Sequence, residues 1–323
     1  RQRKERLQRE NFIRHFIGDI PELQNFSPED INEESHSIGK GRQGEVYPGY
    51  IRSIDRNVIT KKPRRDTARL ALQRELEASE ELKQRLKHQL GDLTEDMAKF
   101  QGFSGVVTVL GQTSNGYLIQ KRVHGENLYD LLKKPKDGAF YDKRLGGFPQ
   151  DLMEAKRKAL EFATIVQSIH SLGMLHSDLF LRNIMLDEKG HVRVVDLGFC
   201  AENCSRPVRE DILREMFFLH AVFFGAIYIE AGYPDDVPKS QQWLEKYLKG
   251  KSLEQRKAYF LSQCRDFNQQ MRNRMGKAYS EETIGRLSRL MARMADPDPD
   301  IRPNSKEVCE ELTEIWLLPE PEG

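Results

Sequence analysis

The sequence predicts an α+β chain in two parts: a small β-sheet region carrying one long helix, then a larger, mainly helical region. Three observations predict it. From Ser37 to Lys62, the residues Val46, Tyr47, Tyr50, Ile51, Val58 and Ile59 fall in short runs separated by glycine and by Asp55-Arg56-Asn57, a strand–turn–strand pattern. Beyond Pro63 and Asp66, Leu72, Leu76, Leu82, Leu86 and Leu90 recur at helical spacing until Gly91. After residue 123 helical patterns dominate.

Residues 1–16 are charged and helix-prone, with Leu7, Phe12, Ile13 and Phe16 as sparse apolar points and Arg1, Arg3, Lys4, Arg6 and Arg9 making the start basic. This reads as a helical extension over 1–35 that packs on the sheet region or recruits a partner; Ser27-Pro28-Glu29-Asp30 marks a turn or helix start. The sheet region runs over 36–123. Its last strands are Val106 to Leu110 and Tyr117 to Gln120, turned by Ser114-Asn115-Gly116. The helical region, 124–323, opens with an apolar face through Ala155, Ala159, Phe162, Ile165, Val166 and Ile169. A compact strand–loop–strand block follows, Met174 to Gly198, and helical patterns then fill 209–231, 240–249, 253–275, 281–295 and 305–317.

Composition narrows the function classes. At 323 residues the chain suits two folding units or one large two-lobed domain. Lys plus Arg total 51 and Asp plus Glu total 50, so the whole-chain electrostatic footprint of a nucleic-acid binder is absent. The most apolar stretch, Met216 to Ile229, is broken by His220 and too short to span a membrane, so no transmembrane segment is expected. The start at Arg1 suggests a fragment or a processed product, and no secretory signal is visible in it. Four cysteines (Cys200, Cys204, Cys264, Cys309) are too few for a disulfide scaffold and lack the partners of a zinc site, so reduced thiols in an intracellular compartment are expected.

Three constellations carry chemistry. The first is Ile38-Gly39-Lys40-Gly41-Arg42-Gln43-Gly44-Glu45-Val46. A dinucleotide-binding turn would need a helix after it. Here a strand pattern follows, so a glycine-rich hairpin whose backbone N–H groups approach phosphates fits better. The second is Val58-Ile59-Thr60-Lys61, where a lysine at the end of the next strand can reach phosphate as a point charge; the plain alternative is a surface lysine among Lys61, Lys62, Arg64 and Arg65. The third is His176-Ser177-Asp178-Leu179-Phe180-Leu181-Arg182-Asn183 followed by Val194-Val195-Asp196-Leu197-Gly198. Phosphoryl transfer needs a carboxylate near the acceptor hydroxyl and oxygen ligands for a hard cation, and this block supplies both.

Together these motifs resemble the eukaryotic-type protein-kinase superfamily, in its order and near its spacings. The resemblance extends to Asp211–Gly225, similar to the buried central helix of the large lobe, and to Ala295-Asp296-Pro297 and Ile301-Arg302-Pro303, similar to the D-P-x-x-R-P segment. It implies a bilobal protein-kinase-like fold, with an N-lobe over 36–123 and a C-lobe over 124–323, that uses ATP and Mg²⁺. It further implies that Ile38, Gly39, Gly41 and Gly44 shape the loop over the phosphates and that Lys61 contacts them. A helix glutamate pairs with that lysine, Glu75 ahead of Glu77 and Glu80. Asp178 is the implied base, and Asn183 and Asp196 the metal ligands. Val46, Ile59 and Met185 sandwich adenine, Gln120, Lys121 and Val123 form the hinge, and His176 is structural.

The sequence departs from the family at four points. Ser177 stands where regulated kinases carry the arginine that receives a phosphorylated activation loop. Phe180 stands where Ser/Thr kinases place lysine, and Arg182 matches the tyrosine-kinase form. Ile59 replaces the preferred alanine. Only twelve residues, 199 to 210, separate Asp196-Leu197-Gly198 from Asp211, and the A-P-E motif is absent, which leaves Arg302 to pair elsewhere, with Glu202 or Glu210. So short a segment resembles atypical members such as bacterial effector kinases and the sugar or lipopolysaccharide kinases. The leading reading is a protein kinase acting on Ser or Thr ahead of Tyr, always on or switched by an activating protein partner. It works inside the cell, or in the host cytosol if an effector. A small-molecule, lipid or glycan kinase and a non-catalytic nucleotide-binding scaffold are the alternatives.

Overall fold

Short β-branched and aromatic runs in the first third of the chain pair into one sheet, and the leucine-spaced segment after them lies along one of its faces. The computed structural model describes residues 23–40, 44–92, 104–107, 109–133, 152–176, 178–197 and 279–319 apart from 297 and 299, with isolated positions between 201 and 273. Two compact units organise them. The first holds the described residues of 1–125, 168–178 and 193–204; the second holds those of 126–167, 179–192 and 205–323.

In the first unit the strands are β1 (Gln24–Phe26), β2 (Ile31–Glu33), β3 (Gly39–Lys40), β4 (Glu45–Ile51), β5 (Arg56–Lys62), β6 (Val109–Thr113) and β7 (Leu118–Lys121). They form one sheet in the order β1-β6-β7-β5-β4-β2, with β3 also paired to β4. Every pair is antiparallel except β1 with β6. Gly111 permits that close approach: a Cβ there would sit 1.9 Å from the Gln24 carbonyl oxygen. The helical extension expected over 1–35 therefore does not run through 24–33. A 3₁₀ turn, Pro28–Asp30, capped reciprocally by Ser27 and Asp30, joins two edge strands of three residues each. Three residues are too few to display a period of two, which is why the pattern does not announce them.

Helix α1 (Asp66–Asp92) covers the sheet. One sheet face packs Phe26, Ile51, Val58, Leu110 and Ile119 together, while Val109 and Leu118 on the other meet Leu72 and Leu76 of α1. Burying each such side chain contributes about 1.5–3 kcal/mol. The buried face of α1 also carries a polar stripe at four-residue spacing, Glu75, Ser79 and Lys83. Lys83 Nζ donates to the Val109 carbonyl at 2.7 Å, and Ser79 Oγ accepts from the Val109 N–H at 3.4 Å, which locks the helix to the start of β6.

After β8 (Gly125–Asn127) come α2 (Leu128–Lys133), α3 (Leu152–Ser171), β9 (Met174–Leu175), β10 (Ile184–Asp187), β11 (Val192–Val194) and β12 (Ala201–Glu202). In the second unit Asp211, Ile212, Phe218 and Leu219 are helical and buried, and Phe218 stacks on Phe162 of α3 at 4.1 Å. Helices α4 (Glu281–Met294) and α5 (Ser305–Trp316) are N-capped by Ser280 and Asn304 and joined by the Arg286–Glu314 ion pair at 3.0 Å. Arg302 Nε donates to the Asp296 carbonyl at 2.7 Å. The helices expected over 1–16 and 240–249, most of 253–275, and the side chains of Glu202 and Glu210 lie outside the described residues. Among the described residues no helix is long and apolar enough to cross a membrane.

Candidate active site

The first unit holds Lys61, Glu75, Asp178 and Asp196. Lys61, at the end of β5, extends its Nζ to 2.6 Å from Glu75 Oε1 of α1. The Glu75 side chain is fully buried and that of Lys61 is 11% exposed. Neighbouring strand residues point to opposite sides. Lys62 accordingly goes elsewhere, pairing with Glu33 and lying over the Tyr47 ring at 4.5 Å. Glu77 and Glu80 are exposed and engage Gln73 and Gln84 of their own helix.

A third charge acts on this pair. Burial alone would lower the Lys61 ammonium, but Glu75 and Asp196 outweigh it and hold it above its ordinary value. The Glu75 carboxyl is raised to about 7: burial lifts it most, Lys61 pulls it down and Asp196 pushes it up. One buried cation thus faces two carboxyl groups. Glu75 Oε2 and Asp196 Oδ1 accept no hydrogen bond from the described residues. An unsatisfied buried carboxylate oxygen is costly, and here it marks where a further cation fits. Magnesium is commonly held by one or two carboxylates together with substrate phosphates. Two carboxyl groups, each with one unsatisfied oxygen, fit that donor set.

Backbone contacts fix where Asp178 and Asp196 sit. Val106 bridges Val194, and the Val107 N–H donates to the Val194 carbonyl at 2.9 Å. Strand β12 pairs antiparallel with β9, Ala201 opposite Leu175. Between these anchors lies the fully buried His176. Its Nε2 lies 3.2 Å from the Val195 carbonyl oxygen, and its Nδ1 accepts the Asp178 N–H at 3.3 Å. A carbonyl only accepts and an amide N–H only donates, so these two contacts suit the tautomer with its proton on Nε2. Asp196 itself has φ 64°, the left-handed region that non-glycine residues seldom occupy. Such strain persists where surrounding contacts over-determine it.

The family model for the protein kinase domain matches residues 32–217, more than half of the chain. The chain belongs to the protein kinase family. Among curated relatives, it is 31% identical over 186 residues to the serine/threonine-protein kinase PknD of Protochlamydia amoebophila (strain UWE25), covering 55% of this chain and 17% of the relative. It is 28% identical over 185 residues to PknD of Chlamydia caviae, covering 55% and 18%. It is 42% identical over 53 residues to protein kinase C delta type of Mus musculus, covering 16% and 8%. The matched segment therefore spans less than a fifth of each of these relatives.

Within this kinase domain the register puts further chosen residues on one sheet face. Gly39 lies opposite Val46, Val46 opposite Lys61, and Ile59 opposite Gln120. Residues directly opposite share a face, so Gly39, Val46, Ile59, Lys61 and Gln120 line the same side. Val46 and Ile59 are half-buried, Ile38 is 52% exposed, Lys121 is exposed and Val123 half-buried. Gln120 is buried and its Nε2 donates to the Val107 carbonyl at 3.1 Å. In the second unit Asn183 is buried in the 3₁₀ turn Leu181–Asn183, its N–H donating to the Phe180 carbonyl at 2.7 Å. Met185 is half-buried on β10, and the Arg182 guanidinium lies 4.6 Å from the Phe180 ring centroid. Gly41, Ser177 and Gly198 lie outside the described residues. Lys83 belongs to none of the motifs; the sequence marks it only as a charged residue four positions after Ser79 on the leucine-lined face of α1.

The two described loop glycines differ in what they require. A Cβ on Gly44 would sit 2.1 Å from the Lys62 carbonyl oxygen, whereas one on Gly39 would meet nothing closer than Val46 at 3.8 Å. Gly44→Ala is expected to cost about 1–3 kcal/mol, as overpacking does, seen as a lower melting temperature. Gly39→Ala is expected to melt within about 0.5 kcal/mol of the parent while binding ATP more weakly. Equal losses of stability would mean that Gly39 serves the fold rather than a ligand.

Proposed function

We propose that the protein is an ATP- and Mg²⁺-dependent kinase that transfers the γ-phosphoryl group to a protein hydroxyl, Ser or Thr ahead of Tyr. The observation that carries this reading is the buried Lys61–Glu75 pair within the field of Asp196, with an unsatisfied oxygen on each carboxyl group. Glu75 holds Lys61 as a directed positive charge for the α- and β-phosphates. Gly39, Gly41 and Gly44 let the backbone close over the phosphates, with Ile38 at the start of the loop. Val46, Ile59 and Met185 enclose adenine, and backbone groups at Gln120, Lys121 and Val123 bond its edge. Asp178 takes the proton of the acceptor hydroxyl as its oxygen bonds to the γ-phosphorus and the bond to the β–γ bridging oxygen breaks, with ADP leaving. Mg²⁺, held by Asn183 and Asp196, would neutralise charge on the phosphate oxygens. The serine/threonine names of the relatives favour those acceptors.

The same reading includes freedom from activation-loop phosphorylation. Ser177 removes the phosphate-receiving arginine, and twelve residues leave little loop to order. Pairing of β12 with β9 and the His176 bond to Val195 support it, because they anchor both ends of the Asp178–Asp196 region by backbone contacts that need no phosphate. Switching by a protein partner and an intracellular place of action, the host cytosol for a secreted effector, belong to the same proposal.

The short segment also favours a second reading, a kinase for a sugar, lipid or other small acceptor. Incubation with γ-labelled ATP and Mg²⁺ against protein mixtures, sugars and lipids separates them. Label on Ser or Thr of protein is the expected result. Label only in sugar or lipid fractions would replace it with the second reading. No transfer, together with no thermal shift by ATP and Mg²⁺ at 100 times a typical Kd, where about 2.7 kcal/mol is expected, would leave a non-catalytic scaffold.

A further inference from the structure

The glycine loop leaves the sheet between Lys40, the last residue of β3, and Glu45, the first of β4, which lie opposite each other in the ladder. Lys40 Nζ is 3.5 Å from Glu45 Oε1. The same oxygen accepts Arg64 Nε at 3.1 Å and Arg64 Nη2 at 2.7 Å. The other oxygen, Oε2, accepts the Tyr47 hydroxyl at 2.6 Å. Both carboxylate oxygens of Glu45 are therefore engaged, by groups from β3, from β4 and from the turn after β5. The Tyr47 hydroxyl, and after it Arg64, hold the Glu45 carboxyl down to about 2, so it stays ionised well below neutral pH.

Arg64 sits between β5, which ends with Lys61 and Lys62, and α1. The return arm of the loop already lies against that strand end, because a Cβ on Gly44 would sit 2.1 Å from the Lys62 carbonyl oxygen. Glu45 is opposite Lys62 in the ladder, so it shares the sheet face of Lys62 and leaves the Lys61 face clear. On that outer face Lys62 continues the chain of contacts, over the Tyr47 ring and on to Glu33 of β2. Only two residues of β3 pair with β4, and so short a hairpin is held weakly by its backbone alone. Isolated surface ion pairs add little, but an arginine fork joined to further charges and a hydroxyl is the arrangement that does contribute. We propose that Glu45 is a positioning residue: through Lys40, Tyr47 and Arg64 it clasps the root of the glycine loop to the strand end that carries Lys61, and so fixes where the loop backbone meets the nucleotide phosphates. The phosphate part of this inference rests on the kinase reading above.

Glu45→Gln tests it in the full chain, since it keeps the shape and an acceptor for Tyr47 and removes the charge. The variant is expected to bind ATP about fivefold to tenfold more weakly, as loss of a small charge network does, and to bind adenosine, which has no phosphates, as the parent does. Arg64→Met is expected to do the same, and the double variant to be no worse than either single one. Without nucleotide, the amides of 38–46 are expected to exchange several-fold faster in Glu45→Gln, with the melting temperature within about 2 °C of the parent. Unchanged exchange at 38–46 would overturn the proposal. So would adenosine weakened as much as ATP, ATP binding unchanged from that of a parent that binds it, or additive losses in the double variant. A parent that binds neither ligand would remove the kinase reading instead, while exchange at 38–46 would still accept or reject the clasp.

Discussion

Asp178→Asn is expected to lower phosphoryl transfer by about 10²–10⁴-fold, the usual contribution of a positioned general base, while the fold and ATP affinity stay near those of the parent. The substitution preserves size and shape. The backbone contact that orients the residue, the Asp178 N–H to His176 Nδ1, does not involve its side chain. What is lost is the carboxylate proposed to take the acceptor proton. Transfer measured with γ-labelled ATP, thermal melting and ATP titration together make the test: a variant that melts normally, binds ATP and transfers at the parental rate would remove Asp178 from the role of base. Asp196→Asn provides the contrast. It removes one charge acting on both Lys61 and Glu75 and a carboxylate proposed to hold Mg²⁺, so its defect is expected to respond to Mg²⁺ concentration, whereas that of Asp178→Asn is not.

Lys61→Met is expected to show the largest effect on stability. It leaves Glu75 fully buried without its cation, and breaking a buried ion pair by removing one partner typically costs about 3–5 kcal/mol. The loss depends on pH in a definite direction. The folded-state value of Glu75, about 7, already lies above its ordinary value of 4.5. The carboxyl therefore favours the folded state most at low pH, and that contribution is lost as pH rises through about 7. Removing Lys61 removes the one influence that pulls Glu75 down, so the gap between variant and parent is expected to widen from about pH 5 to pH 9. Lys61→Met/Glu75→Leu is expected to recover much of the loss, since an apolar replacement of both partners leaves no charge stranded. Denaturant midpoints across that range check both statements. A flat gap, or a double variant no better than the single one, would mean that Lys61 does not hold Glu75.

Much of the first unit is legible in the residues. The leucine spacing of 72, 76, 82 and 86 marks a helix, and α1 spans Asp66–Asp92. Strand character around Val58 and Tyr117 marks β5 and β7. Glycines and Asp-Asn turns punctuate them. The strand expected from Val106 begins instead at Val109, because Val106 is taken up in a bridge to Val194, a partner nearly ninety residues away. Strands β1 and β2 escape notice for a related reason: each is three residues long and is stabilised by a partner strand rather than by its own pattern. Glu75 could be preferred over Glu77 and Glu80 from helical phase alone, since it shares the leucine face. That this face meets Lys61 rather than Lys62 depends on strand register.

The order of motifs in one dimension was sufficient to determine the family: a glycine loop, a strand lysine, Asp178 and Asn183 five apart, and Asp196-Leu197-Gly198 after them. Chemistry at a phosphate demands particular side chains at particular spacings, and spacing survives in a linear string. Only the folded molecule decided that Lys61, Glu75 and Asp196 share one buried electrostatic environment. Only the fold decided that His176 meets the Val195 carbonyl and the Asp178 N–H. Charge interaction, desolvation and exposure depend on what surrounds an atom in space, and strands brought together by backbone pairing set those surroundings.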